Sequence, residues 1–447
     1  MRSVRLKAIA AIALPMILSN ITIPLLGLVD TAVIGHLDQA HYLAGVALGS
    51  MMISLVYWLC GFLRMSTTGL VAQAVGLVDM TALLKVALSS VLLAVLLGCL
   101  LVLFQQPILS LGLSLAGGGE LSLHYAAEYF STRIWGAPAA LLNLVLLGCL
   151  LGLQNARAPM VLLIIGNSLN IGLDLWLVLG LDMKVQGAAL ATVIADYLSL
   201  ALGLYLCRQS LTRLGLSMTD IATALRGLAF DQFSRLLRLN LDIFFRSLSL
   251  QLCFAFMTFQ GSRLGENIVA ANAVLLNFLM FVSFALDGVA YAVEALAGKA
   301  KGAQDRAQFV GVINDCLLLA AIFALLFSLS FYLFGPSLIN LLTDISEIRA
   351  TANQYLAWMF VLPVAAVWCF IFDGIFIATA EGKMMRNSML LASVGVFFPV
   401  WWLSQDWGNH ALWLAMCSFM AARGLSLAYT YRLALNRHWW FKATPVG

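Results

Sequence analysis

Long apolar stretches alternate with short polar ones along this chain, on the length scale of a membrane-spanning helix. Crossing the hydrocarbon core takes about 20 apolar residues. Twelve stretches qualify. The first half holds Leu6–Gly35, Leu43–Met65, Leu84–Phe104, His124–Cys149, Met160–Leu181 and Gln186–Cys207. The second half holds Leu236–Gly261, Asn267–Val293, Phe309–Phe334, Thr351–Ala378, Met389–Leu403 and His410–Arg432. Alternating segments of about ten residues, the mark of a membrane β-barrel, are absent. Helices are then the remaining way to satisfy the backbone in lipid, and the pattern predicts an all-α polytopic fold.

The polar connections carry a second signal. With the N-terminus placed inside, 18 Lys and Arg fall in cytoplasmic segments, and only Lys184, Arg263 and Arg349 fall outside. Arg64, Arg133, Arg246 and Arg423 lie within or at the ends of spans. This excess is the positive-inside pattern, and one missed span would scramble it. Both termini are expected in the cytoplasm, with the chain in the inner membrane. The start, Met1-Arg-Ser-Val-Arg-Leu-Lys7, resembles the charged region of a signal peptide. The apolar stretch behind it runs to about Gly35, too long for a signal and suited to a retained first span.

Composition agrees. The chain is 62% hydrophobic and 10% charged, with a mean hydropathy of +0.96. Soluble domains are about half apolar and a quarter charged. The net charge of +4 is small and its basic residues are dispersed, which gives no nucleic-acid footprint. The eight cysteines form no CxxC pair and read as small hydrophobes, while the five histidines lack metal-ligand spacing. No metal site is expected.

The two halves are related by a shift of 226 residues. Ala44, Ala47 and Leu70 match Ala270, Ala273 and Leu296; Ala74, Gly76 and Asp79 match Ala300, Gly302 and Asp305; Gly148 matches Gly374. Six spans separate equivalent positions, so the repeats are parallel. Two lobes around a central cleft follow: 1–207, then a cytoplasmic linker at 208–235, then 236–447.

No GxxxxGK[ST] loop is present, so transport by this chain would draw on an ion gradient rather than ATP. Carboxylates in the membrane are costly and are functional candidates by default. The first span carries Asp30. The fifth carries Asn170 and Asp174, four apart and on one helix face; the sixth carries Thr192 and Asp196, also four apart. Asp30, Asp174 and Thr192 each lie about two turns from the outer end of their spans, so three helices bring polar groups to one depth. The partners of Asp30 and Asp174 at the 226-residue shift are Phe256 and Val400, so the second half lacks this pair. Two nearby carboxylates disfavour double ionisation, which suits proton carriage, and the same oxygens suit Na⁺. Pro15 and Pro24 allow the first helix to bend. Asp242 and Arg246 read as a structural pair within one helix. Asp287 is a candidate contact for a cationic substrate, and Asp196 a secondary one.

Ala-Leu-Pro15-Met-Ile-Leu-Ser-Asn with Leu-Val-Asp30-Thr-Ala-Val-Ile-Gly resembles the first helix of the multidrug and toxic compound extrusion (MATE) family. Asn170 and Asp174, followed by Gly187-Ala-Ala-Leu-Ala-Thr192, resemble the fifth and sixth helices of its DinF-like branch. The resemblance implies exchange of H⁺ or Na⁺ for cationic, amphipathic small molecules. It places Pro15 at a conformational hinge and Asp30, Asn170, Asp174 and Thr192 at the proton or cation site. It implies no cofactor beyond the coupling ion, and a transporter working as a monomer among membrane lipids. The alternatives are a Na⁺-coupled antiporter, a flippase for lipid-linked substrates, a membrane-embedded enzyme or a channel. An enzyme of the prenyl-transferase type would need a DDxxD motif, which is absent.

Overall fold

The computed structural model describes residues 2–35, 40–116 and 119–441; the side chains of residues 23–35 and of Ala40 lie outside the described set. The described residues are helical nearly throughout and contain no strand. In order come α1 (Arg2–Gly35), α2 (Ala40–Leu59), α3 (Phe62–Leu77), α4 (Met80–Leu103), α5 (Gln105–Leu115), α6 (Glu120–Arg133), α7 (Ala137–Gly152), α8 (Arg157–Asp174), α9 (Lys184–Arg213) and α10 (Met218–Arg226). Then follow α11 (Phe230–Leu264), α12 (Glu266–Gly302), α13 (Arg306–Leu342), α14 (Ser346–Tyr355), α15 (Trp358–Ala378), α16 (Gly382–Ala392), α17 (Phe398–Leu403) and α18 (Asn409–Asn436).

Eleven helical segments among the described residues are long and apolar enough to cross a membrane. The remaining expected span is α16 and α17 joined by a π-helical stretch, Ser393–Phe397. It begins at Gly382 rather than Met389, because the polar first turn, with Lys383 and Arg386, is helical too. The chain is thus an all-α polytopic membrane protein. Its exposed surface is rich in Leu, Phe and Trp, as lipid contact requires.

Two compact units form. The N-terminal unit is Leu18–Leu236; the C-terminal unit is Leu237–Gly447 with Met1–Ile17. The division falls within α1 because Arg2 and Arg5 reach Asp315 on α13. In the connection between the spans, Ser217 and Asp220 form a capping box that starts α10.

The internal repeat is visible in the backbone. Val78 and Gln304 adopt positive φ, as do Gln154 and Ala380; each pair is 226 residues apart. After the first pair stand Asp79 and Asp305, whose carboxylates accept from Ala82 N and Gln308 N, both at 2.9 Å. These caps start α4 and α13 in the two units. Gly148 and Gly374 mark matching helix crossings: a Cβ at Gly148 would lie 2.6 Å from Arg64 O, and one at Gly374 would lie 3.1 Å from Ala290 O. Arg64 and Ala290 are themselves 226 apart, so the same close approach is made twice. The repeats differ in where their helices break: Arg306–Leu342 is continuous, whereas its counterpart breaks at Phe104 between α4 and α5. Glu266–Gly302 is continuous, whereas its counterpart breaks between α2 and α3 at Cys60–Gly61.

Candidate functional site

In the N-terminal unit, α8 and α9 pack along their lengths and bring Asn170, Asp174 and Thr192 together. Asn170 and Asp174 are each 2% exposed. The amide of Asn170 lies between the other two groups. In one orientation its nitrogen donates to Thr192 Oγ1 at 3.0 Å, and that hydroxyl donates to Ala188 O at 3.0 Å. In the reverse orientation the nitrogen donates to Asp174 Oδ2 at 3.1 Å, while the oxygen accepts from Thr192 Oγ1 at 3.0 Å and from Thr192 N at 3.3 Å. The reverse orientation gives an ionised Asp174 a donor, so it is the better partner for a charged carboxylate.

Asp174 is the last α-helical residue of its span; Leu175–Gly180 is π-helical. Four-residue spacing in the α-helix puts Asn170 and Asp174 on one face, and in the wider turn that follows Leu175, Trp176 and Leu179 are 47–59% exposed. Such π segments concentrate at functional sites because they re-aim a helix face without ending it. One turn before Asn170, Asn167 Nδ2 donates to Thr22 Oγ1 of α1 at 2.7 Å. This tie between α1 and α8 was not legible in sequence, since Thr22 and Asn167 are 145 residues apart and nothing local pairs them.

The side chains of Asp30 and Pro24 lie outside the described residues. Pro15 is described: α1 runs through it without interruption from Arg2 to Gly35. Asp196, one turn beyond Thr192, meets Arg133 instead, with Arg133 Nη2 2.8 Å from Asp196 Oδ2. Arg133 also donates to the Tyr57 hydroxyl at 3.3 Å. Its guanidinium carbon stands 5.0 Å from that ring's centre. The carboxylate of Asp196 is therefore engaged in an ion pair.

The C-terminal unit corrects one expectation. Asp242 and Arg246 share a helix face but do not pair. Asp242 takes Arg386 of α16 at 2.5 Å. Arg246 instead reaches Asp373 of α15, whose same oxygen accepts from Arg423 of α18 at 2.8 Å. Arg246, Asp373 and Arg423 are 7%, 6% and 3% exposed. Cross-helix partners win because deep burial makes each charge seek its best-shielded counter-ion. Asp287 sits half-buried on α12. At the 226-residue counterparts of Asn170, Asp174 and Thr192 stand Val396, Val400 and Ser418. Phe256, the counterpart of Asp30, packs edge-on against Phe397, Phe398 and Trp401 with ring centres 4.8–5.9 Å apart.

Among the described residues, the first of two six-span repeats holds a buried carboxylate–amide–hydroxyl cluster, an arrangement suited to a membrane transporter. The sequence pattern of the MatE family matches residues 15–176 and 243–403, one match in each repeat. The chain is 52% identical over 443 residues to DNA damage-inducible protein F of Escherichia coli (strain K12), covering 98% of this chain and 94% of that protein. It is 24% identical over 412 residues to a probable multidrug resistance protein NorM of Thermotoga maritima, covering 88% and 83%. A solved outward-facing structure of a multidrug resistance MATE family transporter of the MOP superfamily superposes with a TM-score of 0.85 at 21% identity, covering 97% and 96%. The chain belongs to the MatE family, on its DinF-like branch.

Proposed function

We propose that this protein exports amphipathic organic cations in exchange for protons, and that Asp30, Asn170, Asp174 and Thr192 form the proton site. The observation that carries this reading is the cluster of Asn170 and Thr192 around a carboxylate buried to 2% exposure. A carboxylate held so deeply in a membrane span is costly when charged, which makes it a candidate carrier for the coupling ion. The naming of relatives as probable multidrug resistance proteins supports the substrate class. Protons from outside load Asp30 and Asp174, α1 bends at Pro15, and substrate leaves; the lobes then rock and release the proton to the cytoplasm. The charge pattern supports an inner-membrane location with both termini cytoplasmic, and lobes at 1–207 and 236–447 joined by 208–235. The working unit is a monomer in lipid without a cofactor. Asp287 is a secondary contact for cationic substrate.

The oxygen donors of Asn170, Asp174 and Thr192 also support Na⁺ as coupling ion. Proteoliposome flux of a fluorescent organic cation separates the readings. A pH gradient alone drives uphill flux under the proton reading. Flux that responds only to Na⁺ overturns it, and conductance without counter-transport overturns the carrier reading.

A further inference from the structure

The N-terminal end of α1 is held by a buried acid that the proton site does not use. Asp315, on α13, is 5% exposed. Each of its carboxylate oxygens has its own guanidinium: Arg5 Nε lies 2.8 Å from Oδ2, and Arg2 Nε lies 3.1 Å from Oδ1. Arg2 and Arg5 are three residues apart and share one face of α1. One turn before Asp315, Gly311 leaves room for them; a Cβ there would stand 2.8 Å from Arg5 Cζ. Two turns further along α1, Ala13 O lies 3.0 Å from where a Cβ of Gly288 on α12 would be. The first half of α1 is thus seated by ion pairs and by close backbone approach, all within the C-terminal unit.

Beyond Ile17 the same helix belongs to the N-terminal unit. There Thr22 accepts from Asn167, three residues before Asn170 on the helix that bears Asp174. A single continuous helix therefore has one end clamped to Asp315 and its middle tied to the helix of the proton site. Pro15 lies between the two holds, so a bend there moves one held segment against the other, whereas a helix loose at one end absorbs the bend.

We infer that Asp315 is a positioning residue for the exchange cycle: with Arg2 and Arg5 it latches the end of α1, so that a change at Asp174 acts on the C-terminal unit. The inference rests on the antiport reading above. Arg2 is 61% exposed and is the lesser partner; Arg5 is 27% exposed and the greater. Removing both cations leaves a buried carboxylate uncompensated, which releases the latch without touching the substrate or proton site.

The test uses full-length purified protein as wild type, Asp315→Asn and the double variant Arg2→Gln/Arg5→Gln. Hydrogen exchange over residues 2–17 and proton-driven flux are measured together. Both variants are expected to lose amide protection roughly tenfold over residues 2–12, to bind a fluorescent organic cation as wild type does, and to exchange it about tenfold more slowly. Reversing the pair, Arg5→Glu with Asp315→Arg, restores part of the rate. Wild-type protection and rate in the double variant overturn the latch, as does a lost rate matched by lost cation affinity, which marks a merely structural pair. If Asp315→Asn fails to fold, the double variant decides, since its changes lie at the exposed end of the clamp. If wild type itself moves no cation under either gradient, the antiport reading falls, while the protection data still decide whether the latch exists.

Discussion

The two repeats share helix caps and a close helix crossing and differ in where they bury polar groups. In the N-terminal unit, Asn170, Asp174 and Thr192 form a polar cluster. Their counterparts Val396, Val400 and Ser418 lie beside the aromatic group of Phe256, Phe397, Phe398 and Trp401. The C-terminal unit has instead moved its buried charge to Arg246, Asp373 and Arg423, at positions matched by Asn20, Leu147 and Tyr197 in the other repeat. The Asp373 carboxylate is gripped by two guanidiniums on two other helices, which fixes all three side chains in place. The difference places an amide–hydroxyl cluster in the first repeat and an ionic hub in the second.

Four changes break or sharpen this contrast, from the largest effect downward. Asp373→Asn removes the shared anion from two buried guanidiniums and is expected to cost about 3–5 kcal/mol, read as a lower melting temperature in detergent. A stable variant would mean the C-terminal cluster is not an ionic hub. Val400→Asp places a carboxylate at the counterpart of Asp174 without an amide or hydroxyl partner. It should cost about 2.5–3.5 kcal/mol and give no second coupled proton, checked by melting temperature and by proton-to-cation stoichiometry. Thr192→Val keeps the shape but leaves Asn170 one partner short, worth about 1–3 kcal/mol. Flux should fall about tenfold with cation affinity unchanged, and Thr192→Ser should restore it. If the serine and valine variants transport alike, the hydroxyl has no role.

The smallest effect lies in α10, outside the spans. Hydrogen bonds from the Ser217 hydroxyl and backbone N–H hold Asp220 below the usual carboxylate range. Its folded value is the lower one, so this stabilisation is present above about pH 4 and fades as pH falls further. Protection factors over residues 218–226, corrected for the intrinsic slowing of exchange in acid, should therefore fall below about pH 4 in wild type and show no such acid step in Asp220→Asn.

Much of this was legible in the chain. Spans follow from apolar length, and the repeat from shared positions such as Asp79 and Asp305, which prove to be matching caps. The pairing of Asn170 with Asp174 and Thr192 followed from depth and four-residue spacing. What was hidden depends on contacts between distant segments. Asp242 and Arg246 looked paired because local spacing is the only geometry a sequence offers. Arg246 and Asp373 are 127 residues apart, and nothing local announces them. The π segment after Asp174 was hidden too, since Leu-Trp-Leu-Val-Leu-Gly reads as ordinary helix. So was the assignment of α1 to both units, which arises from Asp315, a residue 310 positions from Arg5.

The central claim is that a proton on the first-repeat carboxylates drives export. It is tested most directly by uphill flux of a fluorescent organic cation in Na⁺-free proteoliposomes under a pH gradient, comparing wild type with Asp174→Asn and Asp30→Asn. The account predicts that both variants fold and bind the cation, and that neither carries it against its gradient. Undiminished uphill flux in Asp174→Asn would contradict it.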